Sequence, residues 1–181
     1  MGYGWEGEMV RLVPLDKERH MENALRWLND PEVTAWTLTG DFPIARLAEE
    51  DFFNRMMSPV SSNPTEIAFA IETREEGEHI GFSGIHRIDW RQGVALTGTT
   101  IGPSGYRRRG YGSDAALTRT RYSFDVLGLR MLLSEVMIDN TASLKMLRKA
   151  GYTEVGRIPR RYWKRGAYRD VVLLMIERTA S

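Results

Sequence analysis

The sequence contains no cysteine. That excludes disulfides, thiolate metal sites and a cysteine nucleophile. A reducing compartment fits this but is not required by it. The chain also lacks an excess of charge of either sign: 25 Lys and Arg stand against 24 Asp and Glu, for a formal net charge of +1. A strongly basic nucleic-acid binder is therefore not indicated, and no nucleic-acid partner is expected. No apolar run approaches the ~20 consecutive residues of a membrane helix. The start, Met1-Gly2-Tyr3-Gly4-Trp5-Glu6, lacks the basic region and apolar core of a signal peptide. A cytoplasmic protein without a membrane partner is the expectation. Internal repeats and low-complexity tracts are missing too. What remains is 181 residues of balanced composition, 42% hydrophobic. That length suits one domain over residues 1–181, which buries roughly two-thirds of its unfolded surface and needs no staple.

Met9 to Val13 alternates apolar and polar residues before Pro14, and reads as a short strand. Asp16 can cap a helix reaching Leu28, with Met21, Leu25 and Leu28 on one face. Asn29-Asp30-Pro31 stops it. Residues 44–57 read as a second amphipathic helix, with Leu47, Phe52 and Met56 as core contacts, and Pro59 to Pro64 as a loop. The period then changes. Ile67–Ile71 and His79–Trp90 read as a hairpin around the charged turn Arg74–Glu78, and Val94–Ile101 as the next strand. Gly98 inside that strand suggests a bulge or a close backbone approach. A helix follows to Phe124. Met131–Ile138 reads as a strand buried on both faces. Asn140 or Thr141 starts a helix that ends at Gly151, and strands over 153–162 and 168–176 close the chain. The order β-α-α-β-β-β-α-β-α-β-β implies an α/β (α+β) fold: a mixed sheet with helices on both sides.

Between a strand and a helix lies Arg107-Arg108-Arg109-Gly110-Tyr111-Gly112-Ser113. Backbone N–H groups at a helix start have no partner within the helix, and the helix dipole favours anions there. Gly110 and Gly112 remove side chains where a phosphate must approach, and the arginines add charge and forked donors. The segment reads as a pyrophosphate cradle; a plain basic helix cap is the alternative. It is not a P-loop, since no Gly-Lys-Ser or Gly-Lys-Thr follows. Nor is it the dinucleotide fingerprint, whose third glycine is missing.

The segment Arg107-x-x-Gly110-x-Gly112 resembles the Gln/Arg-x-x-Gly-x-Gly/Ala signature of GNAT acetyltransferases. Trp27-Leu28-Asn29-Asp30-Pro31-Glu32-Val33, Ile101-Gly102-Pro103, Asn140-Thr141-Ala142-Ser143 and Lys149-Ala150-Gly151-Tyr152 are similar to segments of that superfamily's ribosomal-protein N-terminal acetyltransferase branch. The resemblance spans nearly the whole chain. It implies a mostly antiparallel seven-stranded sheet whose central strands splay apart to admit pantetheine, and acetyl-CoA as co-substrate, with no metal. It also implies that Thr99, Thr100 and Ile101 bind pantetheine and polarise the thioester carbonyl. Arg107, Arg108, Arg109, Gly110, Tyr111, Gly112 and Ser113 would hold the pyrophosphate, and Asn140 and Ser143 would contact the pantetheine arm.

The chemistry so implied is attack of a neutral amine on a thioester, which needs a proton acceptor. Many members of the family keep a glutamate on the strand before the loop; Leu96 stands there in this chain. Glu135, five residues before Asn140, is the substitute base, because a carboxylate inside Leu132–Met137 needs a reason. A structural ion pair with an arginine is the plainer account. His86 is a second candidate base, by residue type. The tyrosine many relatives use as acid is replaced by Leu147, so Ser143 is the candidate acid, or simply a helix-start hydroxyl. Phe52, Met56 and Met57 would line an acceptor pocket or pack as core. Arg160, Tyr162, Trp163 and Tyr168 would border the acceptor or pack across a hairpin. Tyr152 reads as core.

Fold and motif do not set the acceptor. A protein N-terminus is favoured by the branch resemblance; a small amine such as an antibiotic, polyamine or amino acid is the alternative. A polyamine calls for acids, and Asp41, Glu49, Glu50 and Asp51 are the only candidate patch. Two other classes remain: a non-catalytic acyl-CoA sensor, favoured by Leu96, and an RNA-binding accessory using Arg107–Arg109 and residues 157–165. The near-neutral charge opposes the last. A monomer or homodimer is expected.

Overall fold

The computed structural model describes residues 5–37, 41–58 and 63–179. Most of the expected Pro59–Pro64 loop lies outside the described residues. Seven strands form one sheet: β1 (Val10–Pro14), β2 (Glu66–Thr73), β3 (His79–Asp89), β4 (Val94–Ile101), β5 (Met131–Met137), β6 (Thr153–Lys164) and β7 (Ala167–Glu177). Their order is β1-β2-β3-β4-β5-β7-β6. Every neighbouring pair is antiparallel except β4 and β5, which are parallel and joined through a helix. The mixed, mostly antiparallel seven-stranded sheet is the one the sequence implied.

Among the described residues, four α-helices cover the two faces. On one side lie α1 (Lys17–Leu28) and α3 (Arg46–Met57); on the other lie α4 (Tyr111–Asp125) and α5 (Thr141–Lys149). Asp16 caps α1, accepting from the Arg19 N–H at 3.0 Å. The stop at Asn29-Asp30-Pro31 is also a start. Asp30 caps the one-turn helix α2 (Pro31–Thr34), whose first residue is the proline, the position where its missing N–H does no harm. Met21, Ala24, Leu15 and Ala70 gather around Phe53, which is fully buried on α3. Phe52 and Met56 pack against that cluster, but Leu47 is exposed, so the helix is turned toward Phe53 rather than Leu47. The larger core fills the α4/α5 side with Leu12, Ile71, Ile80, Ile85, Leu132, Leu147, Tyr152 and Leu174. Among the described residues no helix is long and apolar enough to cross a membrane.

Two expectations about strands need correction. β5 is not buried on both faces: Leu132, Ser134 and Val136 are buried, while Met131, Leu133 and Glu135 are half-buried. Its second face is therefore only partly covered. Gly98 forms no bulge; it sits in unbroken register opposite Gly84, and the β3–β4 irregularity falls between His86 and Asp89.

The parallel pairing of β4 with β5 covers only Val94–Leu96 and Met131–Leu133. Beyond it the strands part. β4 stays with β3 as far as Ile101 opposite Gly81, and β5 stays with β7 as far as Met137 opposite Val171. Two hydroxyls close the ladder at the parting: Thr97 Oγ1 donates to the Leu133 carbonyl at 3.2 Å, and Ser134 Oγ donates to the Thr97 carbonyl at 3.1 Å. Beyond these bonds Gly98–Ile101 and Glu135–Met137 no longer pair, which leaves a gap at the centre of the sheet.

Candidate active site

The loop from Gly102 to Gly110 leads from the open end of β4 into α4. Gly110 is the N-cap with φ 99°, a left-handed conformation that favours glycine. No side chain caps α4. Asp114 in its first turn instead accepts from the N–H groups of Glu8, Met9 and Val10, tying β1 to this helix. The N–H groups of Tyr111, Gly112 and Ser113 are thus presented at the start of a 15-residue helix. That arrangement suits a pyrophosphate.

The three arginines divide in role. Arg107 turns inward: it donates from Nε to the Ile101 carbonyl at 3.3 Å and from Nη2 to the Gly102 carbonyl at 2.5 Å, and stands 3.8 Å from Glu32. It shapes the loop rather than offering its fork to a ligand. Arg109 donates to the Gly105 carbonyl at 3.1 Å. Arg108 is exposed, with φ 61°. Gly112 also differs from expectation. A β-carbon there would point at Met146 Sδ, 3.0 Å away, and Ile101 Cγ1, 3.6 Å away. It faces the mouth of the gap between β4 and α5.

Thr99 and Thr100 lie on opposite faces of β4. Thr99 faces α4 and accepts from Arg119 Nη1 at 2.6 Å. That arginine is fully buried and was not singled out from the sequence. The same nitrogen donates to the Gly98 carbonyl at 2.7 Å and to Ser83 Oγ at 3.3 Å; Nη2 reaches the Tyr152 hydroxyl at 3.5 Å. Its Nε has no partner. Its signal lay in the helical spacing: Ala115, Arg119 and Tyr122 share the inward face of α4. Tyr152 is core, as expected, with its hydroxyl 3.3 Å from both Thr97 Oγ1 and Thr120 Oγ1.

On the other face of the sheet, Leu96 lies between His86 on β3 and Leu133 on β5. Glu135, two residues along from Leu133, looks onto the gap from the β5 side. Its Oε2 accepts from the Tyr162 hydroxyl at 2.6 Å and stands 3.5 Å from Arg161 Nε. Burial, and then this bond to Glu135, raise the Tyr162 pKa, so the phenol stays protonated. Trp163 and Tyr168 are both exposed, stacked edge to face at 4.8 Å, with Arg160 over Tyr168. Asn140 caps α5 by accepting from the Ser143 N–H at 3.1 Å, and the Ser143 hydroxyl makes no hydrogen bond among the described residues. Leu147 is buried core.

An open cleft of about 470 Å³ lies beside the loop, lined by Pro31, Glu32, Ala35, Trp36, Arg107 and Arg165. The hairpin of β6 and β7 closes over it: Arg165 donates to the Pro31 carbonyl at 3.0 Å and, with Lys164, pairs with Asp41. Of the candidate acidic patch, Asp41 is thereby neutralised, and Glu49 is buried, which raises its pKa.

Residues 10–153 match the model of the acetyltransferase (GNAT) domain. An uncharacterized N-acetyltransferase, p20, from Bacillus licheniformis is 28% identical over 131 residues, 72% of each chain. Among solved structures, the spermidine N-acetyltransferase of Vibrio cholerae in complex with CoA and spermine superposes with a TM-score of 0.82 at 17% identity, covering 93% of this chain and 95% of that one. A Vibrio cholerae protein assigned as a ribosomal-protein-serine acetyltransferase gives a TM-score of 0.73 at 17% identity, covering 96% and 97%. With its parted central strands and glycine loop at an uncapped helix, the chain belongs to the GNAT acetyltransferase family and uses acetyl-CoA as co-substrate to acetylate an amine.

Proposed function

We propose that the acceptor is the α-amine of a protein or peptide N-terminus, acetylated by direct attack on the thioester in the cytoplasm, by a single catalytic domain. The observation that carries this is an entrance whose acids already face cations. Arg107 and Arg165 line the cleft with Glu32, which stands 3.8 Å from Arg107; Lys164 and Arg165 pair with Asp41, and Glu49 is buried. A polycation would have to compete with these cations for each carboxylate, whereas a peptide brings a single amine and a neutral backbone.

In this reading acetyl-CoA threads the gap as an added strand along Thr99–Ile101. The backbone from Arg109 to Ser113 holds its pyrophosphate, with Arg107 shaping the loop beneath and Arg108 at the rim. Asn140 and Ser143 border the pantetheine arm, and Ser143 is the donor to the departing thiolate. Glu135, held by the Tyr162 hydroxyl, receives the amine on the β5 side of the gap.

Thiol release from acetyl-CoA, measured with an Ala- or Ser-initiated peptide against spermidine and free amino acids, tests the reading. The expected result is a kcat/KM for the peptide about fivefold higher, the upper size of one exposed charge contact. A preference for spermidine overturns the peptide assignment. Acetyl-CoA at ~100-fold over Kd should also stabilise the fold by about 2.7 kcal/mol. A thermal shift without thiol release would make the chain an acyl-CoA sensor.

A further inference from the structure

We propose that His86, oriented by Glu66, is the catalytic residue that takes the proton from the acceptor amine. The inference rests on the acetyl-transfer reading and adds a base to it. Its ground is a juxtaposition on the α1/α3 face of the sheet. The β2–β3 register sets Glu66 directly opposite His86, and Glu66 Oε1 lies 2.7 Å from His86 Nδ1. With Nδ1–H donating to the carboxylate, the lone pair of the neutral ring resides on Nε2. The two side chains are 41% and 36% exposed, open enough to meet a substrate.

The ring lies back across two glycines. A β-carbon at Gly84 would overlap Nε2 and Cε1 of His86, and at Gly98 the nearest heavy atom to such a carbon is again Nε2, at 3.7 Å. Gly84 and Gly98 are cross-strand partners. Neither has a left-handed φ, so backbone conformation does not demand glycine at either position. At Gly84 the imidazole takes the space a side chain would need; at Gly98 it lies at ordinary contact distance. Gly98 is two residues beyond Leu96, the last residue of β4 paired with β5. Nε2 therefore stands over the first stretch of β4 that borders the gap, just before Thr99–Ile101. Leu96, on this same face, leaves the floor free of a competing carboxylate.

The charged groups around this space are few. Glu66 on β2 touches the ring; across the gap stand Glu135 of β5 with Tyr162 and Arg161 of β6. Oε2 of Glu135 is already an acceptor for Tyr162, whereas Nε2 of His86 has no hydrogen-bond partner among the described residues. In the step proposed, the amine lone pair forms the C–N bond and the C–S bond breaks. The proton shed by nitrogen passes to His86 Nε2, and the thiolate leaves to be protonated as free CoA thiol. The imidazolium returns its proton to solvent, so atoms and charge balance with no further reactant.

The test is the pH dependence of kcat/KM for the amine in His86→Gln, His86→Ala, Glu66→Gln and Glu135→Gln, with acetyl-CoA thermal shifts on each. His86→Gln should lose about 10²-fold or more together with the acidic limb of the profile. Added imidazole should restore part of the rate to His86→Ala, a rescue that a merely structural histidine would not show. Glu66, a positioning residue, should cost about tenfold on change to Gln and nearly nothing on change to Asp if the ring is still held, because the ring loses the acceptor that fixes its tautomer and orientation. Glu135→Gln should lower kcat/KM but keep the limb. The inference is overturned if His86→Gln, still folded and still shifted by acetyl-CoA, retains the limb, or if the limb vanishes in Glu135→Gln instead. A wild-type chain that acetyl-CoA does not stabilise overturns the acetyl-transfer reading itself.

Discussion

Arg119 carries a positive charge into the interior with no carboxylate paired to it among the described residues. Its partners are all neutral: the Gly98 carbonyl and the hydroxyls of Thr99, Ser83 and Tyr152. Burying an unpaired charge costs stability, and replacing one with an apolar side chain of similar volume is often neutral or stabilising. A protein that keeps such a group gives up stability for something else. Here the guanidinium sits behind the part of β4 where the thioester carbonyl is proposed to become an oxyanion. A fixed positive charge there favours the transition state over the ground state. Arg119→Met should hold or raise the Tm of the free protein and lower kcat by about tenfold, less than the loss of a direct donor. Melting and steady-state kinetics decide it: a large fall in Tm with kcat intact would make Arg119 a plain strut. The helical spacing of α4 puts this charge on its inward face, but its partners come from β3, β4 and the turn before β6, and no local spacing brings those together. Glu66 was hidden for the same reason. Its meeting with His86 depends on a hairpin register that an irregularity between Ile71 and Glu72 shifts by one residue.

At the scale of elements, the loop before α4 binds through its backbone in the proposed reading, so shape should outweigh charge. Gly112→Val would push a side chain toward Met146 and Ile101, across the mouth of the gap. Because Met146 Sδ ends a flexible side chain, the fold should survive while CoA binding falls below detection. Arg108→Ala should weaken binding only a few-fold, and less as salt rises, since an exposed charge is screened. Titration calorimetry at two salt concentrations measures both; normal binding by Gly112→Val would move the phosphate site elsewhere. The elements themselves were largely readable, because alternation and helical spacing are local. Asp16 and Asn140 mark helix starts that the structure shows as side-chain caps. What periodicity could not see was orientation. Leu47 and Phe53 both suit an amphipathic helix, and only the packing of α3 on α1 selects Phe53. β5 reads as uniformly apolar, yet one of its faces meets the helices and the other the active site. The one-turn α2 was missed because Asp30-Pro31 ends one helix and begins another in three residues.

For the whole molecule, a buried pair of histidines sets an acid limit. His20 and His79 pack 4.5 Å apart between α1 and β3, and burial, the leading cause in each, lowers both pKa values, His79 to about 3. In the unfolded chain a histidine protonates near 6.5. Below that pH the unfolded state takes up protons that the folded state refuses. The stability present above about pH 6.5 is therefore lost progressively as pH falls, for His79 at up to about 1.4 kcal/mol per pH unit down toward 3, with His20 adding in the same direction. Denaturation midpoints that stay flat from pH 7.5 to 4.5 would contradict this. That the sheet parts at its centre was legible only through family resemblance, since pairing between distant strands leaves no periodic trace. Its consequence goes further than a place to put a ligand. Strands β1 to β4 and β5 to β7 are two smaller sheets, joined edge to edge at three residue pairs. Acetyl-CoA, lying between them, would complete the hydrogen bonding that the chain leaves undone. The enzyme then borrows part of its own cohesion from the molecule it consumes, and surrenders it each time free CoA departs.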